Sequence, residues 1–329
     1  MSPKVSVIVP CYNGASWLAT AVQSVLSQEY SCFELLLTDD ASTDDSLEIA
    51  NGAAVRDSRV TILSSEQNQG MTRNWNVGLS AAKGDFVCKL DCDDAWQPGT
   101  LGALVGAFER RPDLTAAFCR TTQCDAHLNP TGFYLGDQAF FLRGFDPNQD
   151  LIRSAAEWYE WCFDDIQLWH SNAFMIRRST LSDTLGGWDQ RFGCASDTDL
   201  ILRILELGGE VAHLGHIGVR YRSTSGSVSA TGRQQGWVSV EGHLACALSL
   251  QRTAERRKLS GHLELQRSRY LAALHNSTRD AGYHSPERLA SGHQELFASV
   301  IPISLRRRLV WQTRCWLSGL IRGAQRHVC

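Results

Sequence analysis

The chain has no run near the roughly 18 uninterrupted apolar residues of a membrane-spanning helix, so an integral membrane protein is not expected. Its opening, MSPKVSVIVPCYNG, lacks a basic leader, an apolar h-region and a small-residue cleavage site, so secretion is not expected either. The 11 cysteines are odd in number, form no CxxC pair and follow no regular spacing, which argues against a disulfide framework. Several lie in apolar runs, as Cys88 and Cys119 do, and read as free, mostly buried thiols in a reducing compartment. Strong charge of either sign is missing: the formal net charge is −3, which disfavours a general nucleic-acid binder. No internal repeat, low-complexity tract or Ser-His-Asp arrangement is found. What remains is an ordinary globular composition, 43% hydrophobic and 20% charged, over 329 residues. At about 100–200 residues per domain, that suits one large domain with an appendage, or two domains. A cytoplasmic protein is expected, soluble or peripheral at the inner face of the membrane.

The first half alternates short apolar runs with helical spacing. Val5–Pro10 (VSVIVP), Phe33–Thr38 (FELLLT), Val60–Ser64 and Asp85–Leu90 (DFVCKL) read as strands. Between them, Ser16–Gln28, a helix opened by a Ser42/Asp45 capping box and running to about Ala54, and Met71–Ala82 read as helices. Gln97–Arg111 is a fourth helix with Pro98 in its first turn. The order predicts a parallel sheet covered by helices on both faces, with ligands at the carboxyl ends of the strands. Beyond about Ala116 the pattern changes. Thr115–Cys124 and Gly132–Leu135 flank a turn and resemble a hairpin, Gly136–Asp165 is aromatic and irregular, and Asn172–Arg177 and Val219–Arg222 look like strands. Asp197–Leu207 is a helix, and Gly236–Gly282 suggests two more.

Acidic residues gather where strands end or helices begin: Asp39-Asp40, Asp91-Cys92-Asp93-Asp94, Asp197-Thr198-Asp199 and, less clearly placed, Asp164-Asp165. Three carboxylates within four residues after FVCKL repel one another, and a hard divalent cation such as Mg²⁺ or Mn²⁺ offsets that repulsion. A solvated turn, with Asp94 capping the next helix, explains the same residues.

The co-linear segments VSVIVPCYNGASWLATAVQSVLSQ, LLLTDDASTDDS and NQGMTRNWNVGLSAAKGDFVCKLDCDDAW, followed by FMIRRSTLSDTLGGWDQRF and SDTDLILRIL, closely resemble the family-2 glycosyltransferases of the GT-A fold. The resemblance implies an α/β fold: a Rossmann-like mixed, mainly parallel sheet flanked by helices, with a C-terminal helical extension. It implies a catalytic domain over 1–235, made of a nucleotide-sugar half (1–115) and an acceptor half (116–235), and an extension over 236–329. It also implies roles. Pro10, Tyr12, Asp40, Arg73 and Asp91 would face the nucleotide, with Tyr12 stacked on the base. Asp93 or Asp94 would carry Mn²⁺ or Mg²⁺, and Asp197 would be the base that deprotonates an acceptor hydroxyl. His170, Asn172 and Trp188 would lie near the acceptor, and Arg222 near the diphosphate. The implied reaction moves a sugar, with UDP the expected nucleotide, to a saccharide, lipid-linked or other hydroxyl acceptor by direct inverting displacement. It belongs to polysaccharide, glycolipid or glycan assembly, and no nucleic acid takes part.

Each role has a plainer rival. Asp197 suits the N-cap of its helix, and Asp199 competes with it for the role of base. The family commonly has Glu-Asp where this chain has Ser196-Asp197. The aromatic run Phe140, Phe141, Phe145, Trp158, Tyr159, Trp161, Phe163 and Trp169 suits a sugar platform or, more often, packing. His213 and His216 resemble a metal pair but sit in a glycine-rich segment. The amphipathic 305–326 segment, with Arg306, Arg307, Arg308, Arg314 and Arg322 interspersed and Trp316, suits an anionic membrane surface or a helix packed on the domain. A sugar-phosphate nucleotidylyltransferase needs a basic, glycine-rich first loop, and PCYNGAS has no Lys or Arg. A non-catalytic sugar-nucleotide-binding scaffold is the remaining alternative, supported only by the missing acid before Asp197.

Overall fold

The computed structural model describes residues 4–133, 135–164, 169–223, 237–256 and 258–280. It opens with β1 (Val5–Cys11), α1 (Ala15–Leu26), β2 (Phe33–Asp39), α2 (Ser46–Arg56), β3 (Val60–Ser64), α3 (Met71–Ala81) and β4 (Phe86–Lys89). Next come β5 (Ala95–Trp96), α4 (Thr100–Arg110), β6 (Ala116–Cys124), β7 (Pro130–Phe133), α5 (Leu135–Leu142), β8 (Leu151–Ser154) and α6 (Ala155–Asp164). The sheet is completed by β9 (Phe174–Arg177) and β10 (Glu210–Arg222), with α7 (Ser196–Glu206) between them.

The sheet runs β3-β2-β1-β4-β9-β6-β10-β5, with β7 on β6 and β8 on β10. β1 pairs parallel with both β2 and β4, and β2 with β3. β9 is the antiparallel strand that joins this half to β6, which in turn runs parallel to β10. Every residue of β1 and β2 is buried, as the continuous apolar runs predict for strands covered on both faces. Gly78 is what lets α3 lie close on them: a Cβ there would overlap Ile8.

Some local expectations are corrected. The Ser42/Asp45 capping box does not form: the Ser42 hydroxyl accepts from Asn13 N–H, and the helix starts only at Ser46, whose N–H donates to Asp44. The fourth helix begins at Thr100, after Gly99 in a left-handed conformation (φ 82°). The irregular segment after Gly136 holds α5, β8 and α6. The short last strand is the end of the 13-residue β10, whose register shifts between Leu214 and Ile217 hide its alternation.

Contacts divide the chain into two compact units, Met1–Gln190 with Ser196–Ser227, and Arg191–Ala195 with Val228–Cys329. The second includes helices Trp237–Arg256 and Gly261–Asp280, and within it Glu241 accepts from the N–H groups of Gly193 and Ala195. No helix among the described residues is long and apolar enough to cross a membrane. The 305–326 segment lies outside the described residues.

Candidate active site

The parallel ladder of β1 and β4 ends at the pair Ile8–Lys89, and the acidic loop begins two residues later. Lys89 carries a full ammonium with no exposed surface. Its Nζ donates to Asp91 Oδ1 at 2.8 Å, lies 3.8 Å from Asp197 Oδ2, and sits 3.8 Å above the centre of the Trp75 ring. A buried cation is tolerated only when paired, and here two carboxylates and an aromatic face do the pairing. Burial works against the Lys89 charge, but Asp197 and Asp91 outweigh it and hold its pKa above the ordinary lysine value. The converse holds for Asp91: burial opposes its charge, and Lys89 keeps its carboxyl below the usual range.

For Asp93, Lys89 and Arg222 only partly offset the cost of its charge. Burial, then repulsion from Asp91, pushes it up to about 6. Asp94 is likewise pushed well above the usual carboxylate range, by burial and by Asp93 and Asp91. The Asp94 carboxylate is nonetheless held: Oδ1 accepts the Arg222 backbone N–H at 2.7 Å, and Oδ2 accepts the Asn172 side-chain amide. Arg222 also donates from Nε to the Asp93 carbonyl (2.6 Å), and its guanidinium lies 4.1 Å from the centre of the Trp17 ring. The end of β10 thus braces the acidic loop from the side.

Asp197 stands in the first turn of α7, and its Oδ1 meets no hydrogen-bond donor among the described residues. Asp199 is fully buried, and its Oδ2 is bonded to Arg203 at 2.7 Å. Arg203 in turn donates to the carbonyls of Leu185 and Gly187. Of the two acids, Asp199 ties α7 to the glycine turn, and Asp197 faces Lys89.

The residues expected at the acceptor separate. His170 lies between the carboxylates and Tyr221, with ring centroids 4.5 Å apart; burial lowers its pKa, while Asp197 and Asp91 work the other way. Asn172 has no exposed surface and braces Asp94, with its carbonyl accepting from Trp96 Nε1 at 2.5 Å. Trp188 is 1% exposed and packs edge-on against Trp75. Asn76 fixes it, exchanging hydrogen bonds with both Trp188 N–H and C=O.

On the nucleotide side, Pro10 is buried in β1 opposite Thr38, and Tyr12 follows it 50% exposed. The Asp40 oxygens accept the N–H groups of Gln69 (2.8 Å) and Gly70 (2.9 Å), so this carboxylate anchors the start of α3. Arg73, one turn on, is exposed and donates to Gln190.

Most of the aromatic run is packing, although Phe141 is 55% exposed. Trp158, Tyr159, Phe140, Phe163 and Trp169 are at most 4% exposed and interlock with Phe118. His213 is built into that cluster, between Trp169 Nε1 and the Pro147 carbonyl, while His216 sits beside Thr100, so the two do not form a metal pair. Asp164 closes α6, and Asp165 lies outside the described residues. Sequence reasoning missed Lys89, Trp75 and Trp17. The signal for Lys89 was present, a lysine inside the otherwise apolar strand FVCKL.

The profile of the family described as Glycosyl transferase family 2 matches residues 6–155. Glycosyltransferase GlyG of Streptococcus pneumoniae is 26% identical over 243 residues, covering 72% of this chain and 76% of GlyG. Relatives differ in size: uncharacterized protein y4gI of Sinorhizobium fredii is 28% identical over 76% of this chain, which spans only 26% of it. Among solved structures, Staphylococcus aureus TarS 1–349 with UDP-GlcNAc superposes with a TM-score of 0.64 at 18% identity, covering 90% of this chain and 79% of TarS. The mannosyltransferase PcManGT of Pyrobaculum calidifontis, with GDP-Man and Mn²⁺, gives 0.55 at 17% identity, covering 95% of this chain and 84% of PcManGT. At these identities the superpositions establish the fold, a mixed α/β sheet flanked by helices of the GT-A type.

Proposed function

For a chain that belongs, through residues 6–155, to glycosyl transferase family 2, we propose transfer of a sugar from a nucleoside-diphosphate donor to an acceptor hydroxyl, with inversion at the transferred carbon. The observation that carries this reading is the buried Lys89 ammonium, which brings Asp91 at the end of β4 and Asp197 at the start of α7 to one point. One carboxylate belongs to the donor loop and the other is free to act as a base.

An acceptor hydroxyl is a poor nucleophile until its proton is taken. Asp197 has the required vacancy, since Oδ1 meets no donor among the described residues. Lys89 keeps the neighbouring carboxylate Asp91 ionised and in place for the donor. Tyr12, exposed beyond β1, offers a face for the base, and Arg73 and Asp40 border the same end of the sheet. Direct displacement needs no covalent enzyme intermediate, in keeping with the lack of an activated serine or cysteine nucleophile in this scheme.

The donor set fits a hard divalent cation that arrives with its nucleotide. Among the described residues no group of three or more His, Cys, Asp or Glu is placed to hold an ion alone, and Mg²⁺ or Mn²⁺ sites of this kind are completed by phosphate and water. Asp93, pushed up to about 6 by burial and by Asp91, would be its ligand. Asp94, engaged by Asn172 and Arg222, supports the loop. When bound, the cation supplies charge neutralisation to the departing diphosphate.

TarS was solved with UDP-GlcNAc and PcManGT with GDP-Man, so the proposal favours a UDP-sugar and tests GDP-sugars beside it. The acceptor is a saccharide or lipid-linked hydroxyl in glycan assembly. Incubating the protein with UDP- and GDP-sugars, with and without Mn²⁺, and measuring released nucleoside diphosphate tests this. Metal-dependent release from one donor class is expected; absence of both release and nucleotide binding with every donor would contradict it.

A further inference from the structure

Two thiols stand inside the acidic site and take no part in the proposed chemistry. Cys92 lies between Asp91 and Asp93, and Cys11 ends β1. The ladder pairs Val5 with Phe86 and Ile8 with Lys89. One residue on, Leu90 N–H still donates to the Ile8 carbonyl, and Cys92 lies in the turn that follows.

Both sulfurs close on Gly14: a Cβ placed there would stand 2.8 Å from Cys92 Sγ and 2.9 Å from Cys11 Sγ. Both are free cysteines; Cys11 is buried and Cys92 is partly exposed, so a small oxidant reaches the pair from the site. Gly14, without a side chain, leaves the space in which the sulfurs meet. Cys88 and Cys119 are the contrast, at 0% and 1% exposure with no surface route.

We propose that Cys11 and Cys92 form an oxidisable dithiol, a modification site that closes to a disulfide across the donor loop. With hydrogen peroxide as oxidant, one sulfur of the pair, as thiolate, attacks a peroxide oxygen, giving a sulfenic acid and, after protonation, water. The other sulfur then displaces the sulfenic oxygen as a second water. One S–S bond forms, the O–O bond breaks, two thiol protons leave in the waters, and the two electrons lost by sulfur reduce the peroxide. Dithiothreitol reverses the step by thiol–disulfide exchange. Because Cys92 separates Asp91 from Asp93, the bond ties the acidic loop to β1 and restricts the two carboxylates. The consequence for nucleotide binding rests on the proposed function; the disulfide itself does not.

The test treats the full chain with peroxide at low molar excess, followed by peptide mapping without reductant. The expected product joins Cys11 to Cys92 with loss of two hydrogens, leaves Cys88 and Cys119 as thiols, and is absent from Cys11→Ser and Cys92→Ser variants. A Cys92 that stays reduced, or that joins another cysteine, overturns the proposal. In parallel, affinity for UDP or GDP with Mn²⁺ is measured before oxidation, after it, and after dithiothreitol. A loss of tenfold or more, restored by reductant and absent in Cys11→Ser, is expected. A disulfide with unchanged affinity overturns its effect on the donor loop. If neither nucleotide binds the reduced protein while the disulfide forms, the functional reading fails and the dithiol site stands.

Discussion

Lys89 Nζ lies 3.8 Å from Asp197 Oδ2 with no exposed surface of its own, joining the end of β4 to the first turn of α7. The lysine cannot be exchanged for an apolar residue without leaving Asp91 and Asp197 facing each other uncompensated. Breaking a buried pair by removing one partner costs about 3–5 kcal/mol. Lys89→Met is therefore expected to lower the thermal midpoint by roughly 5–20 °C at about 2–4 °C per kcal/mol, and to reduce turnover in whatever fraction remains folded. Calorimetry of the variant, with an unchanged midpoint, would count against the buried cation.

The bracing of Asp94 gives a milder prediction. Asn172→Ala removes the amide that Asp94 accepts, and a lost buried hydrogen bond costs about 1–3 kcal/mol. The fold is expected to survive, with a lower urea midpoint and weaker metal-dependent nucleotide binding. Equal affinity in variant and wild type would show that Asp94 does not shape the loop.

A third prediction concerns pH. Asp93 is pushed up from 3.8 to about 6. Between those values the folded chain binds this proton more tightly than the unfolded chain, so Asp93 favours folding at low pH and that contribution is lost as pH rises through about 6. At about 1.36 kcal/mol per pH unit the change amounts to at most about 3 kcal/mol. Other carboxyls shift oppositely, so the comparison that isolates it is wild type against Asp93→Asn in urea titrations from pH 4.5 to 7. The variant is expected to gain stability relative to wild type as pH rises; a constant difference would contradict the shift.

Away from the site, Arg120 and Asp137 form a forked ion pair, with Nε–Oδ1 at 3.1 Å and Nη2–Oδ2 at 2.6 Å, both side chains almost fully buried. Arg120→Met strands a buried carboxylate and is expected to cost about 3–5 kcal/mol. Measured by chemical denaturation, a change below 1 kcal/mol would mean the pair relaxes into solvent.

The first half of the fold was legible because each element follows a simple period: all-buried parallel strands are continuous apolar runs, and α1 and α3 keep helical spacing. β10 was read only at its end, because its register shifts between Leu214 and Ile217 break the alternation. α5, β8 and α6 escaped because their aromatics form a cluster between elements and carry no period. At the site, the acids announced themselves as charges at strand ends. What a sequence does not show is which acid is committed elsewhere. Asp199 looks like Asp197 until Arg203 is seen on it, and Asn172 and Trp188 look like surface contacts until burial places them underneath.

The central claim is that Asp197 acts as the base and the Asp91–Asp93 loop holds the donor. The most direct measurement is nucleoside diphosphate release by Asp197→Asn beside its affinity for the same nucleotide with Mn²⁺. The account predicts wild-type affinity with turnover reduced about 10²–10⁴-fold, the usual contribution of a general base. Turnover close to wild type in Asp197→Asn, with binding intact, would contradict it.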